Sequence, residues 1–173
     1  MFASKISHAA IALALCTAVA VPAAYAIDSL TPNSQATAAP VTEMQPALSP
    51  ATIQVGSTCL PYMDAFGATT APQTGAGLWL GSDSTTDGSW GYFIGHNPGP
   101  FCDVMGLEQG DLISICDRQG HQRAYQVVKA FRVTDDTCWE YIEDDVTGYG
   151  ESAILQTCCG DNAHYRIVVC AAV

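Results

Sequence analysis

From residue 51 to the C-terminus the apolar runs are short and cut by Gly, Pro, Asp and Ser, and no stretch keeps the 3.6-residue period of a substantial helix. A chain patterned in this way buries side chains on alternate positions and turns often. It therefore folds as strands rather than as a helical bundle. Strands are expected at Thr52–Val55, Gly77–Leu80, Trp90–Gly95, Leu112–Asp117, Ala124–Val133, Trp139–Ile142, Ala153–Thr157 and Tyr165–Ala171, with short helical turns at Leu60–Phe66 and Phe101–Leu107. The class this selects is all-β, a barrel or sandwich of about eight strands.

The N-terminal part reads differently. Lys5 and His8 precede an apolar run from Ala9 to Val21, and Ala24-Tyr25-Ala26 has the small-x-small form of an export-signal cleavage site. Residues 1–26 are thus expected to be a signal peptide, with Cys16 inside it; a retained membrane anchor is not evident, because the run is shorter than the ~20 residues that span a bilayer. Residues 27–50 carry Pro32, Pro40, Pro46 and Pro50 among Ser, Thr, Ala and Gln, the composition of a disordered linker. The folded domain is expected to be 51–173, long enough for one core. The protein is accordingly placed outside the cell, secreted or at the cell surface.

The formal net charge is −11, with 6 Lys and Arg against 17 Asp and Glu. No basic cluster exists to neutralise phosphates, which excludes a nucleic-acid-binding surface. The acidic residues Asp135, Asp136, Glu140, Glu143, Asp144 and Asp145 read as a solvated face, since their spacing matches no rigid calcium cage. The cysteines and histidines likewise lack a zinc spacing, so no metal or cofactor is expected.

Eight cysteines are present, and loss of Cys16 leaves 59, 102, 116, 138, 158, 159 and 170. Export to an oxidising environment suggests up to three disulfides, and the odd count leaves one free thiol. Cys158 ends a candidate strand and Arg166 lies on the next one. On a strand ending at Cys158, residues 154, 156 and 158 share one face and 155, 157 and 159 the other, so Cys158 and Cys159 point apart. That separation, and the absence of a Cys-x-x-Cys, disfavours a redox pair. A thiol needs a base or a positive neighbour to act as a nucleophile. His96 ends a strand at Gly95-His96-Asn97; His121 sits in a polar turn and reads as a surface residue, and His164 as a loop cap.

The order Gly95-His96-Asn97, Gly110-Asp111, Leu155-x-Thr157-Cys158 and then Arg166 in an apolar terminal strand resembles the sortase family. The Gly-His-Asn form is closer to class B relatives than to class A. The family signature usually opens on Thr where this chain has Ile154, and Arg166 follows Cys158 after only eight positions. The resemblance implies a closed sortase-like β-barrel with Cys158 as nucleophile, His96 as general acid/base and Arg166 as stabiliser of the oxyanion. Thr157, Cys159 and Asn97 are implied as supporting residues, the Cys159 N–H as a second oxyanion donor. It also implies a cysteine transpeptidase of a Gram-positive cell surface. Such an enzyme cleaves a sorting-signal peptide through a thioacyl-enzyme and transfers it to an amine, either a peptidoglycan precursor or a pilin lysine. The competing expectation is a secreted sortase-fold binding or structural module without transpeptidation, motivated by Ile154, the short loop, the missing anchor and a disulfide that would occupy Cys158.

Overall fold

The computed structural model describes residues 47–173; the expected signal 1–26 and most of the expected linker 27–50 lie outside the described residues. Eight strands are formed: β1 Thr52–Val55, β2 Thr58–Asp64, β3 Ala76–Gly81, β4 Trp90–Gly95, β5 Leu112–Cys116, β6 Gln122–Thr134, β7 Ser152–Cys158 and β8 His164–Ala172. They close into a barrel in the order β1-β2-β3-β4-β7-β8-β6-β5. This is the expected all-β closed barrel. Most pairs are antiparallel, but β2 pairs β3 and β4 pairs β7 in parallel.

Every strand sends alternate side chains inward, and Ile53, Leu60, Leu78, Phe93, Ile115, Val127, Leu155 and Val168 meet in one interior core. The 3-10 turn Cys102–Gly106 closes one end of it, with Phe101 and Val104 fully buried. A second apolar layer covers the outer face of β4, β7 and β8, where Tyr92, Ile94, Ile154, Ile167 and Val169 pack beneath Ile142 and Val146. Ala153, Ile154 and Leu155 are consequently buried in succession, as are Ile167, Val168 and Val169. Burial on both faces explains why these strands read as continuous apolar runs instead of alternating ones.

Two expected elements differ. The stretch Leu60–Phe66 is not a helical turn but most of β2. Pro61 is tolerated there because β2 begins its pairing with β3 only at Tyr62, so the ring lies where that side of the strand needs no donor. The expected strand Trp139–Ile142 is instead the 3-10 turn Trp139–Tyr141, followed by the short helix α1, Glu143–Thr147. Trp139 and Ile142 are three residues apart and face the second apolar layer together, while Tyr141 between them is 80% exposed. That is helical spacing, which a four-residue sequence window does not separate from alternation.

The expected disulfides are not formed: all seven cysteines from Cys59 to Cys170 are free thiols. Those on strands are held apart by register. Cys158 lies opposite Tyr165, Cys170 opposite Ala153 and Val127, and Cys116 opposite Thr52 and Gln122.

The end of the barrel where the chain enters is organised by Asp117, whose residue is fully buried. Its carboxylate accepts from the His121 N–H at 2.8 Å, the Thr85 N–H at 3.3 Å and His121 Nδ1 at 3.2 Å. Burial opposes its ionisation, but the hydrogen bonds from His121 and Thr85 outweigh it and hold the carboxyl below its ordinary 3.8. Because the folded value is the lower one, its contribution to stability is complete above the unfolded value and is lost as pH falls through the folded value. Urea denaturation between about pH 5 and pH 2 is expected to show a shallower loss of stability for Asp117→Asn than for the unaltered protein. Equal slopes would assign the acid sensitivity to other carboxylates.

Candidate active site

The parallel register of β4 and β7 sets Gly95 beside Thr157. The residues that follow, His96 and Cys158, therefore emerge side by side at adjacent strand ends, one strand spacing of about 4.8 Å apart at the backbone. Two side chains fasten this end. Thr157, buried, donates its hydroxyl to the Gly95 carbonyl at 2.9 Å, and Asn97 Nδ2 donates to the Cys158 carbonyl at 2.8 Å. Gly95 has no room for a side chain, since a Cβ there would stand 2.4 Å from Cγ of the buried Phe101. Phe101 in turn donates its N–H to the His96 carbonyl at 3.0 Å, closing the loop after β4.

His96 and Cys158, both half-buried, line one open cleft of about 680 Å³. Its apolar side is built from Ala68, Trp79, Tyr92, Ile94, Trp139 and Ile142. The aromatic rings brace one another: Trp79 and Tyr92 meet edge to face at 5.4 Å, and Tyr92 and Trp139 at 5.7 Å. Tyr92 donates its hydroxyl to Gln156 Oε1 at 2.6 Å, and burial pushes its phenol above the ordinary range. Trp79 Nε1 donates to the Ala68 carbonyl at 3.1 Å, fixing the loop after β2 as one lip. The same loop orients the imidazole. His96 Nε2 lies 3.0 Å from the Ala71 carbonyl, and a carbonyl only accepts, so Nε2 carries a proton and Nδ1 remains for proton exchange.

Tyr165 is a cleft residue that reasoning from sequence missed. It stands directly opposite Cys158 and lines the cleft with it. Burial, and then the negative charges of Cys158 and Asp135, push its phenol upward and keep it protonated. The signal for it was available in the alternation of β8, which sends residue 165 to the face opposite Arg166.

Arg166 stands opposite Thr157 and Arg132, so it leaves β8 on the Thr157 face rather than on the face of Cys158 and Tyr165. The described cleft lining does not include it. Its Nη2 donates to the Leu107 carbonyl at 2.6 Å, the Glu108 carboxylate lies 3.9 Å away, and its buried Nε has no partner. Arg166 thus approaches the end of β7 from the opposite flank to His96. Cys159 also lies on that flank: its sulfur accepts from Arg132 Nε at 3.2 Å. The Cys159 N–H donates to the His164 carbonyl at 2.9 Å inside the β7–β8 turn, so that amide is occupied and is not an open oxyanion donor. Thr157 and Asn97 act through the strand ends they hold. Among the described residues no group of three or more His, Cys, Asp or Glu is placed to bind a metal ion.

The chain that folds into this barrel matches one family model, the Sortase domain, over residues 50–173. The chain belongs to the sortase family. Solved structures similar to this sortase include sortase C1 of Streptococcus agalactiae (23% identity over 71% of this chain and 66% of that chain, TM-score 0.55). Others are sortase C-1 of Actinomyces oris (22% identity, 71% of each chain, TM-score 0.54) and a lid mutant of sortase A from Corynebacterium diphtheriae (21% identity, 78% and 74%, TM-score 0.56). At these identities the likeness is one of fold, and this sortase spans about two thirds of the length of the S. agalactiae protein. No curated protein matches it. The named structures are of classes A and C, and a likeness of fold leaves the class B resemblance of Gly95-His96-Asn97 where the motif put it.

Alkylation of the native protein without reductant is expected to modify Cys158 but not Cys116 or Cys170, because both are buried and burial pushes the Cys170 thiol up to about 12. Peptide mapping before and after unfolding reads this directly. Thr157→Val, which keeps the shape and removes the bond to Gly95, should lower stability by about 1 kcal/mol and slow alkylation of Cys158, as measured by thermal melting and labelling rate.

Proposed function

We propose that this sortase is a cysteine transpeptidase that cleaves a sorting-signal peptide and transfers the acyl fragment to an amine at the extracellular surface. The observation that carries the reading is the shared cleft of Cys158 and His96, set by the β4–β7 register. A Cys158 thiolate attacks the scissile carbonyl. The negative charge that develops on the carbonyl oxygen is stabilised by a fixed donor or cation, and Arg166 takes this part from the flank opposite His96. His96, protonated, gives its Nδ1 proton to the leaving amine. The thioester left on Cys158 is resolved by an incoming amine. The apolar and aromatic side of the cleft suits the uncharged side chains of a Leu-Pro-x-Thr-type donor, and likeness of fold to a pilus-related sortase C of Group B Streptococcus supports a pilin-type acceptor as one candidate class.

A panel of fluorogenic sorting peptides, with and without amine acceptors, tests this. Cleavage is expected with the unaltered protein and is expected to fall by about 10³-fold or more in Cys158→Ala and His96→Ala. A reaction that needs thiolate and imidazolium together should give a bell-shaped pH profile. A monotonic profile over the stable range would remove His96 as the acid.

One observation favours a second reading, a binding module without turnover: Arg166 is held by the Leu107 carbonyl and does not line the cleft. Peptide binding without any Cys158-dependent cleavage would decide for it.

A further inference from the structure

We propose that Asp135 is the ammonium-recognition group of the cleft, the residue that draws a cationic primary amine to the acyl group on Cys158. The assignment rests on Cys158 forming the thioester proposed above and adds the class of acceptor and the side from which it enters.

Register places the residue. Val133 on β6 stands opposite Tyr165 on β8, and Tyr165 stands opposite Cys158 on β7, so the three form one row across the sheet. All three line the cleft. Asp135 follows Val133 by two positions, and its N–H bonds the Ala163 carbonyl at 3.0 Å, which continues the ladder beyond Thr134. It therefore shares the face of Val133 and also lines the cleft. Along the order β4-β7-β8-β6, His96 is one strand from Cys158 on one side and Asp135 two strands away on the other. Two spacings across the sheet and two residues along it put the backbones about 12 Å apart, a gap that the Asp135 side chain and an aminoalkyl group fill between them.

Charge singles the residue out. Asp135 is the one carboxylate among the described lining residues. Of the acids near it, Asp136 accepts from Thr134, Asp145 pairs with Lys129 and Asp161 with His164, while Glu140, Glu143 and Asp144 are exposed and lie outside the lining. The nearby cations are engaged as well, Arg132 with Cys159 and Arg166 with Leu107. Among the described residues the Asp135 carboxylate has no ion pair or side-chain hydrogen bond, so its charge is presented to whatever enters. The rest of the wall, with Trp79, Ile94 and Trp139, is apolar and suits an uncharged donor chain. A positive group is therefore better matched to the second substrate than to the first.

The proton balance is closed with these groups. An ammonium held at Asp135 releases one proton to solvent, replacing the proton that the first leaving amine takes up. The free amine attacks the thioester carbonyl, the amide C–N bond forms, and the C–S bond breaks to return the Cys158 thiolate. The second amine proton passes to His96, restoring the imidazolium.

The test partitions the acyl-enzyme between water, cadaverine as a cationic primary amine, and hydroxylamine, which is uncharged near neutral pH. With Asp135→Asn, the cadaverine concentration for half-maximal transfer is expected to rise about two- to fivefold. The difference should shrink in about 1 M salt. The ratio of hydroxylamine transfer to hydrolysis and the melting temperature should stay unchanged, and Asp135→Lys should raise the cadaverine requirement further. Unaltered cadaverine partition in Asp135→Asn overturns the assignment while leaving the thioester reading intact. Slowed release of the leaving fragment from a lysine-containing donor, with cadaverine partition unchanged, overturns it in favour of a charge that reads the donor. A protein that shows no Cys158-dependent release at all overturns the thioester reading, and this assignment with it.

Discussion

The parallel ladder between β4 and β7 is the constraint on which the rest of the site depends. Six consecutive pairs run from Trp90 with Ser152 to Gly95 with Thr157. A slip of one residue would turn His96 or Cys158 to the other face of the sheet. The register is held at its active end by Thr157 on the Gly95 carbonyl and by Asn97 on the Cys158 carbonyl. It is held along its length by burial on both faces, the interior core beneath and the Ile142–Val146 layer above. His96 and Cys158 are thereby placed on rigid strand ends, and of the cleft walls the loop after β2 also reaches the imidazole, through the Ala71 carbonyl.

The second apolar layer does more than stabilise. Trp139 and Ile142 approach from the segment between β6 and β7, and Ala68 and Ala71 from the loop after β2; with Trp79 and Tyr92 they make the cleft a lined groove instead of an open sheet face. Burying Val146 fully is worth on the order of 1.5 kcal/mol or more. The same contacts that anchor α1 therefore shape the cleft. The opposite rim, from Tyr165 to Asp135, is polar and carries negative charge. The groove thus has one apolar and one acidic side.

Much of this was legible in the chain. β1 and β4 were readable to the residue, and β3, β5, β7 and β8 to within a residue at either end, because alternation and turn residues are local signals. The His96–Cys158 pairing was readable through motif resemblance. What misled was also local. Leu60–Phe66 contains a proline and mixed polarity, and its strand character comes only from partners on β1 and β3. Trp139–Ile142 alternates in four residues, yet its packing is helical. The export signal suggested bridges, while register keeps the strand cysteines opposite other residues.

The sequence by itself determined the all-β class, the strand periodicity, the acidity, and which residue types were available for thiol chemistry. Tertiary structure decided which flank each of them serves. Cys158 and His96 share a cleft because a parallel pairing brings together residues sixty-odd positions apart. Arg166 comes to the strand end from the other face because it stands opposite Thr157 and not opposite Cys158. Tyr165 and Asp135 enter the cleft through the pairing of β6, β8 and β7, a long-range register that no local pattern encodes. Local sequence sets how side chains alternate along a strand; only closure of the barrel sets which alternations meet.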